Sequence, residues 1–131
     1  MGIFDLFAKK EKLPEKDRKW NRMWDLWTAG KAAAPYAQLM TYQSEVGNGG
    51  HDQYFFNVNE ASDLKAEVET VLSILPEPLK VNLLRAYEAY KACPDAEDEN
   101  DDIFSECDDV FYEHEGLINA LLEEYAETMK I

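Results

Sequence analysis

The stretch Glu45-Val46-Gly47-Asn48-Gly49-Gly50-His51-Asp52-Gln53-Tyr54-Phe55-Phe56-Asn57 decides the fold, because it ends one helical pattern and starts another within four residues. Upstream, Tyr36, Leu39, Met40 and Val46 recur at helical spacing, which places Glu45 and Val46 in the last turn of a helix begun near Pro35. Gly47, Asn48, Gly49 and Gly50 tolerate positive φ, as a helix end that reverses direction requires. Beyond them, Tyr54, Phe55 and Phe56 are too apolar for an exposed loop, so burial is expected of them and of Gln53 and Asn57 alongside.

The polar residues of this corner support two readings. Glu45, Asn48, Asp52, Gln53 and Asn57 beside glycines could form an active site or small-molecule site, with Glu45, His51 and Asp52 as acid or base groups. The alternative is structural: they satisfy the open backbone groups of two helix ends that face each other. No activated nucleophile is visible, which favours the structural reading. His51 is then a surface or capping residue.

Outward from the corner, the chain reads as all-α and without internal repeats. Pro14 fits the first turn of a helix whose Trp20, Met23, Trp24 and Trp27 fall on one stripe, and Gly30 ends it. After the corner, Leu64, Val68, Val71, Leu72 and Leu75 make a helical face that Pro76 stops. Pro78 opens another helix with Leu79, Leu83, Ala86, Tyr87 and Tyr90, and the short connection predicts an antiparallel hairpin. Leu117, Ile118, Leu121, Leu122, Tyr125 and Met129 mark the last helix.

The chain divides into a short amphipathic segment over 1–13, with Phe4 and Phe7, and one helical domain over 14–131. At 131 residues a single domain buries about two-thirds of its extended surface, enough for a real core. With 46% hydrophobic residues, the net charge of −14 is a property of the surface. Such a field repels nucleic acid and anionic membranes and favours basic proteins. Cys93 and Cys107 flank an acidic segment, and the apolar start is too short for an export signal or a membrane span. Reduced thiols in a cytoplasm are therefore expected.

The run EVGNGGHDQYFFN resembles the EVxNGGxxQYFxN signature of an acidic, all-helical family of bacterial domains, best known for a DNA-mimic protein that binds a transcription regulator. Similarity extends from about Pro35 to Met129, through Asp108-Asp109-Val110-Phe111-Tyr112-Glu113. The resemblance implies the fold and a protein partner. It also implies that Glu45, Asn48, Gly49, Gly50, Gln53, Tyr54, Phe55 and Asn57 form a shared scaffold, while mimicking charges lie elsewhere.

The charge is unevenly placed. Residues 1–31 carry eight Lys or Arg against five Asp or Glu, a balance of +3, and the remaining hundred carry five against twenty-two, a balance of −17. The densest run is Asp95, Glu97, Asp98, Glu99, Asp101, Asp102, Glu106, Asp108, Asp109, Glu113 and Glu115, with no intervening Lys or Arg. Three readings stand for it. It is a solvated acidic segment, a calcium loop with Asp95, Glu97, Glu99, Asp101 and Glu106 as ligands, or a mimic of a nucleic-acid backbone. Pro94 and the composition after it predict a loop followed by a helix, with Phe104, Phe111 and Tyr112 anchoring it to the core. Glu60, Asp63, Glu67 and Glu69 would extend a mimicking surface.

The sequence thus predicts a non-enzymatic interaction module without cofactor or metal, whose acidic surface engages a basic or DNA-binding protein. It predicts neither direct nucleic-acid binding nor membrane binding, and the Phe4/Phe7 patch or tryptophan stripe could serve a homodimer. No P-loop, nucleophile elbow, CxxC pair or HExxH motif points to a reaction.

Overall fold

The computed structural model describes residues 13–93 and 97–131, and leaves the side chains of 97–99 undescribed. The amphipathic segment with Phe4 and Phe7, and Asp95, lie outside the described residues. The described chain forms five helices: α1 (Glu15–Thr28), α2 (Tyr36–Ala61), α3 (Leu64–Leu72), α4 (Leu79–Ala92) and α5 (Glu97–Glu127). Among the described residues there is no strand.

Local chemistry accounts for the helix ends. Pro14, Pro35 and Pro78 stand immediately before α1, α2 and α4, where a missing N–H costs nothing. Asp63 caps α3 by accepting from the Ala66 N–H at 3.2 Å.

Helix α5 packs against α1, α2 and α4, whereas α3 packs against α2 and α4. The core between them holds Tyr42, Tyr54, Phe55, Phe111, Met23, Leu39, Met40, Leu79, Leu83, Ile118 and Leu122, all fully buried. Within it Tyr42 meets two rings edge to face, Tyr54 at 5.0 Å and Phe111 at 5.6 Å between centroids. The tryptophan stripe is only partly buried and closes one side through the edge contacts Trp20–Trp24 and Trp24–Trp27.

The far end of α5 is latched to the start of α2. Tyr125 stacks on Tyr36 at 4.3 Å between centroids, and its hydroxyl accepts from the Ala33 N–H at 2.8 Å. Near the other end, the buried Asn82 amide donates to the Cys107 carbonyl at 2.8 Å.

Helix α5 corrects the sequence reading of a loop followed by a helix. From Glu97 onward the acidic run is continuous helix. Ile103, Phe104, Cys107, Val110 and Phe111 supply its apolar face at helical spacing, and Phe104, Cys107 and Phe111 are buried. Asn100, read as a loop position, is a buried amide that donates to the Cys93 carbonyl at 2.9 Å beyond the end of α4. A calcium loop that wraps a cation between Asp95 and Glu106 is incompatible with helix from Glu97.

Candidate functional site

The glycine run breaks α2 without ending it. Gly49 (φ −151°, ψ 17°) and Gly50 (φ 80°, ψ −179°) leave helical geometry, and helix resumes at His51. The two limbs fold onto each other. Glu45 and Asn57, twelve residues apart, would be separated by about 18 Å in a straight helix. Instead the Asn57 amide donates to Glu45 Oε2 at 2.8 Å, and the Gln53 amide donates to the same oxygen at 2.9 Å. Gln53 and Asn57 therefore serve the Glu45 carboxylate, not the open backbone groups that the sequence suggested. Asn57 is exposed, and so is Phe56 at 63%, because only Tyr54 and Phe55 of the aromatic run face the core. Asn48 is exposed in the last turn before the break.

His51 is the second correction. It is fully buried, neither surface residue nor cap. Tyr42 and His51 Nε2 are 2.7 Å apart, and His51 Nδ1 lies 2.6 Å from Asp108 Oδ1. Burial first, and then Tyr54, Cys107 and Asp108, hold the Tyr42 phenol well above its ordinary value, so it keeps its proton. Its O–H thus donates to Nε2, which assigns the ring proton to Nδ1, where it donates to Asp108. The chain Tyr42–His51–Asp108 has the composition of a proton relay, yet its tyrosine and histidine have no exposed surface. Its role is to tie the break in α2 to the middle of α5.

The eleven acidic residues read as one surface separate into groups. Asp101, Asp102, Glu106, Asp109 and Glu113 are exposed on α5. Asp102, Glu106, Asp109 and Glu113 stand at intervals of four, three and four residues, so they share one face. Asp108 turns inward to His51, and Glu115 is partly buried and accepts from the Gln43 amide at 3.2 Å. Glu97, Asp98 and Glu99 open the helix, but their side chains are outside the described residues.

The exposed stripe spans about 17 Å, one charge per roughly 5.5 Å, which is sparser than the roughly 3.4 Å per charge of a single DNA strand. Among its members Glu106 meets Arg85 at 2.5 Å and Glu113 lies 4.0 Å from His114 Nε2, whereas Asp102 and Asp109 meet no basic side chain among the described residues. Glu60, Asp63, Glu67 and Glu69 lie on α2, α3 and the turn between them, and α3 does not pack on α5.

Phe104 and Phe111 anchor the acidic helix as expected, but Tyr112 is half-exposed. Its hydroxyl lies within 3.4 Å and 3.3 Å of the Val46 and Gly47 carbonyls, at the end of the first limb of α2. Cys107 is a buried thiol, pushed up chiefly by its burial. Among the described residues, no helix is long and apolar enough to cross a membrane, and no group of three or more acidic, His or Cys side chains is placed to hold a metal.

The family model described as DMP19-like protein matches residues 31–129, which cover α2 to α5 and leave out α1. No curated protein and no solved structure matched the chain.

Proposed function

The chain belongs to the DMP19-like protein family, and on that premise we propose that it is a non-enzymatic acidic module that binds the nucleic-acid-binding surface of a basic protein. The observation that carries this reading is the face of α5 bearing Asp102, Glu106, Asp109 and Glu113, with Asp101 beside it. These carboxylates sit on a helix whose opposite side is fixed in the core by Phe104, Cys107 and Phe111. A rigid array of this kind loses little conformational freedom when it meets a preformed basic groove. Its charges are also mostly uncommitted within the described chain, so Lys and Arg of a partner can pair with them as they pair with phosphates.

The stripe alone is too short to copy a long duplex, so the partner surface it fits is about one helix or one groove wide. The test is capture of partners on the immobilised protein, identification of those retained, and measurement of each purified complex against salt. The reading expects a DNA-binding protein whose affinity falls steeply between low and physiological ionic strength. Partners that bind through apolar contacts and ignore salt would overturn it.

A further inference from the structure

Two depressions adjoin where α1, both limbs of α2 and the start of α3 meet. One, of about 200 Å³, is lined by Trp27, Gln38, Thr41 and Glu67 among others. The other, of about 480 Å³, is lined by Thr41, Glu45, Asn57 and Glu67 among others. Thr41 and Glu67 belong to both, so they form one groove.

The polar atoms in and behind this groove are short of donors. Glu45 is held through Oε2 alone by Gln53 and Asn57, and neither Glu45 nor Glu67 pairs with a Lys or Arg among the described residues. The buried Gln38 Oε1 has no hydrogen-bond partner. The hydroxyl of Tyr54, a residue with no exposed surface, has none either, and it lies in the field of Glu67, which pushes its phenol further up than burial alone does. The Glu67 carboxyl is itself held above the ordinary range, by burial first and by Asp63 second. One wall is aromatic and fixed: the Trp27 indole N–H donates to Thr41 Oγ1 at 3.0 Å, and Thr41 donates to the Ala37 carbonyl at 3.1 Å.

We propose that this groove binds an organic cation rich in N–H donors, an alkylammonium or alkylguanidinium group, between Glu67, Glu45 and the face of Trp27. An anion would meet two carboxylates, and an apolar ligand would leave the orphaned acceptors as they are. Such a cation supplies donors to the Gln38 side chain and the two carboxylates that line the groove, and an aromatic wall attracts it further. The cation comes either from a free amine or from an arginine or lysine side chain of a protein. The proposal stands apart from the role of α5, since it uses no residue of that helix.

The test is titration of the labelled protein, followed at the Trp27 indole N–H resonance, with N-butylguanidinium, agmatine and the capped peptide acetyl-Gly-Arg-Gly-amide. N-butylurea serves as the uncharged counterpart, and sodium chloride matches the ionic strength. Saturable shifts with the guanidinium compounds, absent with the urea and with salt, are expected, and Glu67→Gln should weaken binding about ten-fold. Glu45→Gln gives a second reading on the other side of the groove. Binding of agmatine without the peptide supports the site with a free amine as ligand, and binding of the peptide supports it with a protein side chain. Shifts reproduced by the urea or by salt, or binding undiminished in both variants, overturn it.

Discussion

Asp108 accepts twice from His51 through a single oxygen, from the backbone N–H at 2.9 Å and from ring Nδ1 at 2.6 Å. The two residues are 57 positions apart, and through them the break in α2 fixes the position of α5. That relationship turns a carboxylate of the acidic run into the fastener that holds the others in place.

Replacement of Asp108 therefore costs more than neutralising any exposed neighbour. Asp108→Ala leaves a buried N–H and a buried ring nitrogen without an acceptor, and about 3 kcal/mol of stability should be lost. Tyr42→Phe removes the donor on the other side of the ring and should cost ~1–2 kcal/mol. Urea unfolding of both single variants and the double variant should show a coupling of at least ~0.5 kcal/mol. Strict additivity would show that the three groups do not act as one chain.

Gly50 and Gly49 should respond differently to alanine. Gly50 sits at φ 80° and ψ −179°, a region open essentially to glycine alone, and an added Cβ would also overlap the Asp108 carboxylate. Gly50→Ala is expected to cost about 2 kcal/mol or more. Gly49 has a negative φ of −151°, but its added Cβ would come within 2.9 Å of the Oε1, Cδ and Cβ atoms of Gln53, so the Gln53 side chain must turn away and release Glu45. Gly49→Ala should therefore cost about 1 kcal/mol, the worth of that hydrogen bond, and less than Gly50→Ala, where the backbone conformation is lost as well. Thermal melts of the two variants test the order.

The raised Glu67 carboxyl makes stability depend on pH. The folded state holds this proton more firmly than the unfolded chain, so the contribution is full at low pH and is lost as pH rises through the folded value. Glu67→Gln should be more stable than the natural chain at neutral pH, by ~0.5 kcal/mol or less because the group is largely solvated. The difference should vanish below about pH 4. A difference that grows on acidification contradicts the sign.

Burial also keeps the Cys107 thiol above its ordinary value, against the opposing charge of Arg85. Alkylation of Cys107 by iodoacetamide, read by peptide mapping, should follow global unfolding. Rapid labelling of the native protein at mildly alkaline pH would show that the face of α5 against α4 opens locally.

Much of the fold was legible in the sequence because punctuation and period agreed. Pro14, Pro35, Gly30 and the Pro76–Pro78 pair mark helix ends, and Leu64, Val68 and Val71 give a clear face. The start of α5 was not legible. Its first residues, up to Asp102, carry no apolar residue, so the period that makes it helical begins only at Ile103. The partners of His51 were not legible either, because a buried histidine is defined by residues brought to it from elsewhere in the chain. Gln53 and Asn57 pointed to a polar cluster, but only the folding back of α2 shows that Glu45 is what they hold.

The central claim is that the outer face of α5 competes with nucleic acid for a basic protein. Its most direct test is a displacement titration, in which the captured DNA-binding partner is bound to labelled duplex and this protein is added. The account predicts stoichiometric release of the duplex by the natural chain and none by the variant Asp101→Asn, Asp102→Asn, Asp109→Asn, Glu113→Gln at unchanged stability. Equal release by the variant, or a ternary complex in which duplex and protein stay bound together, would contradict it.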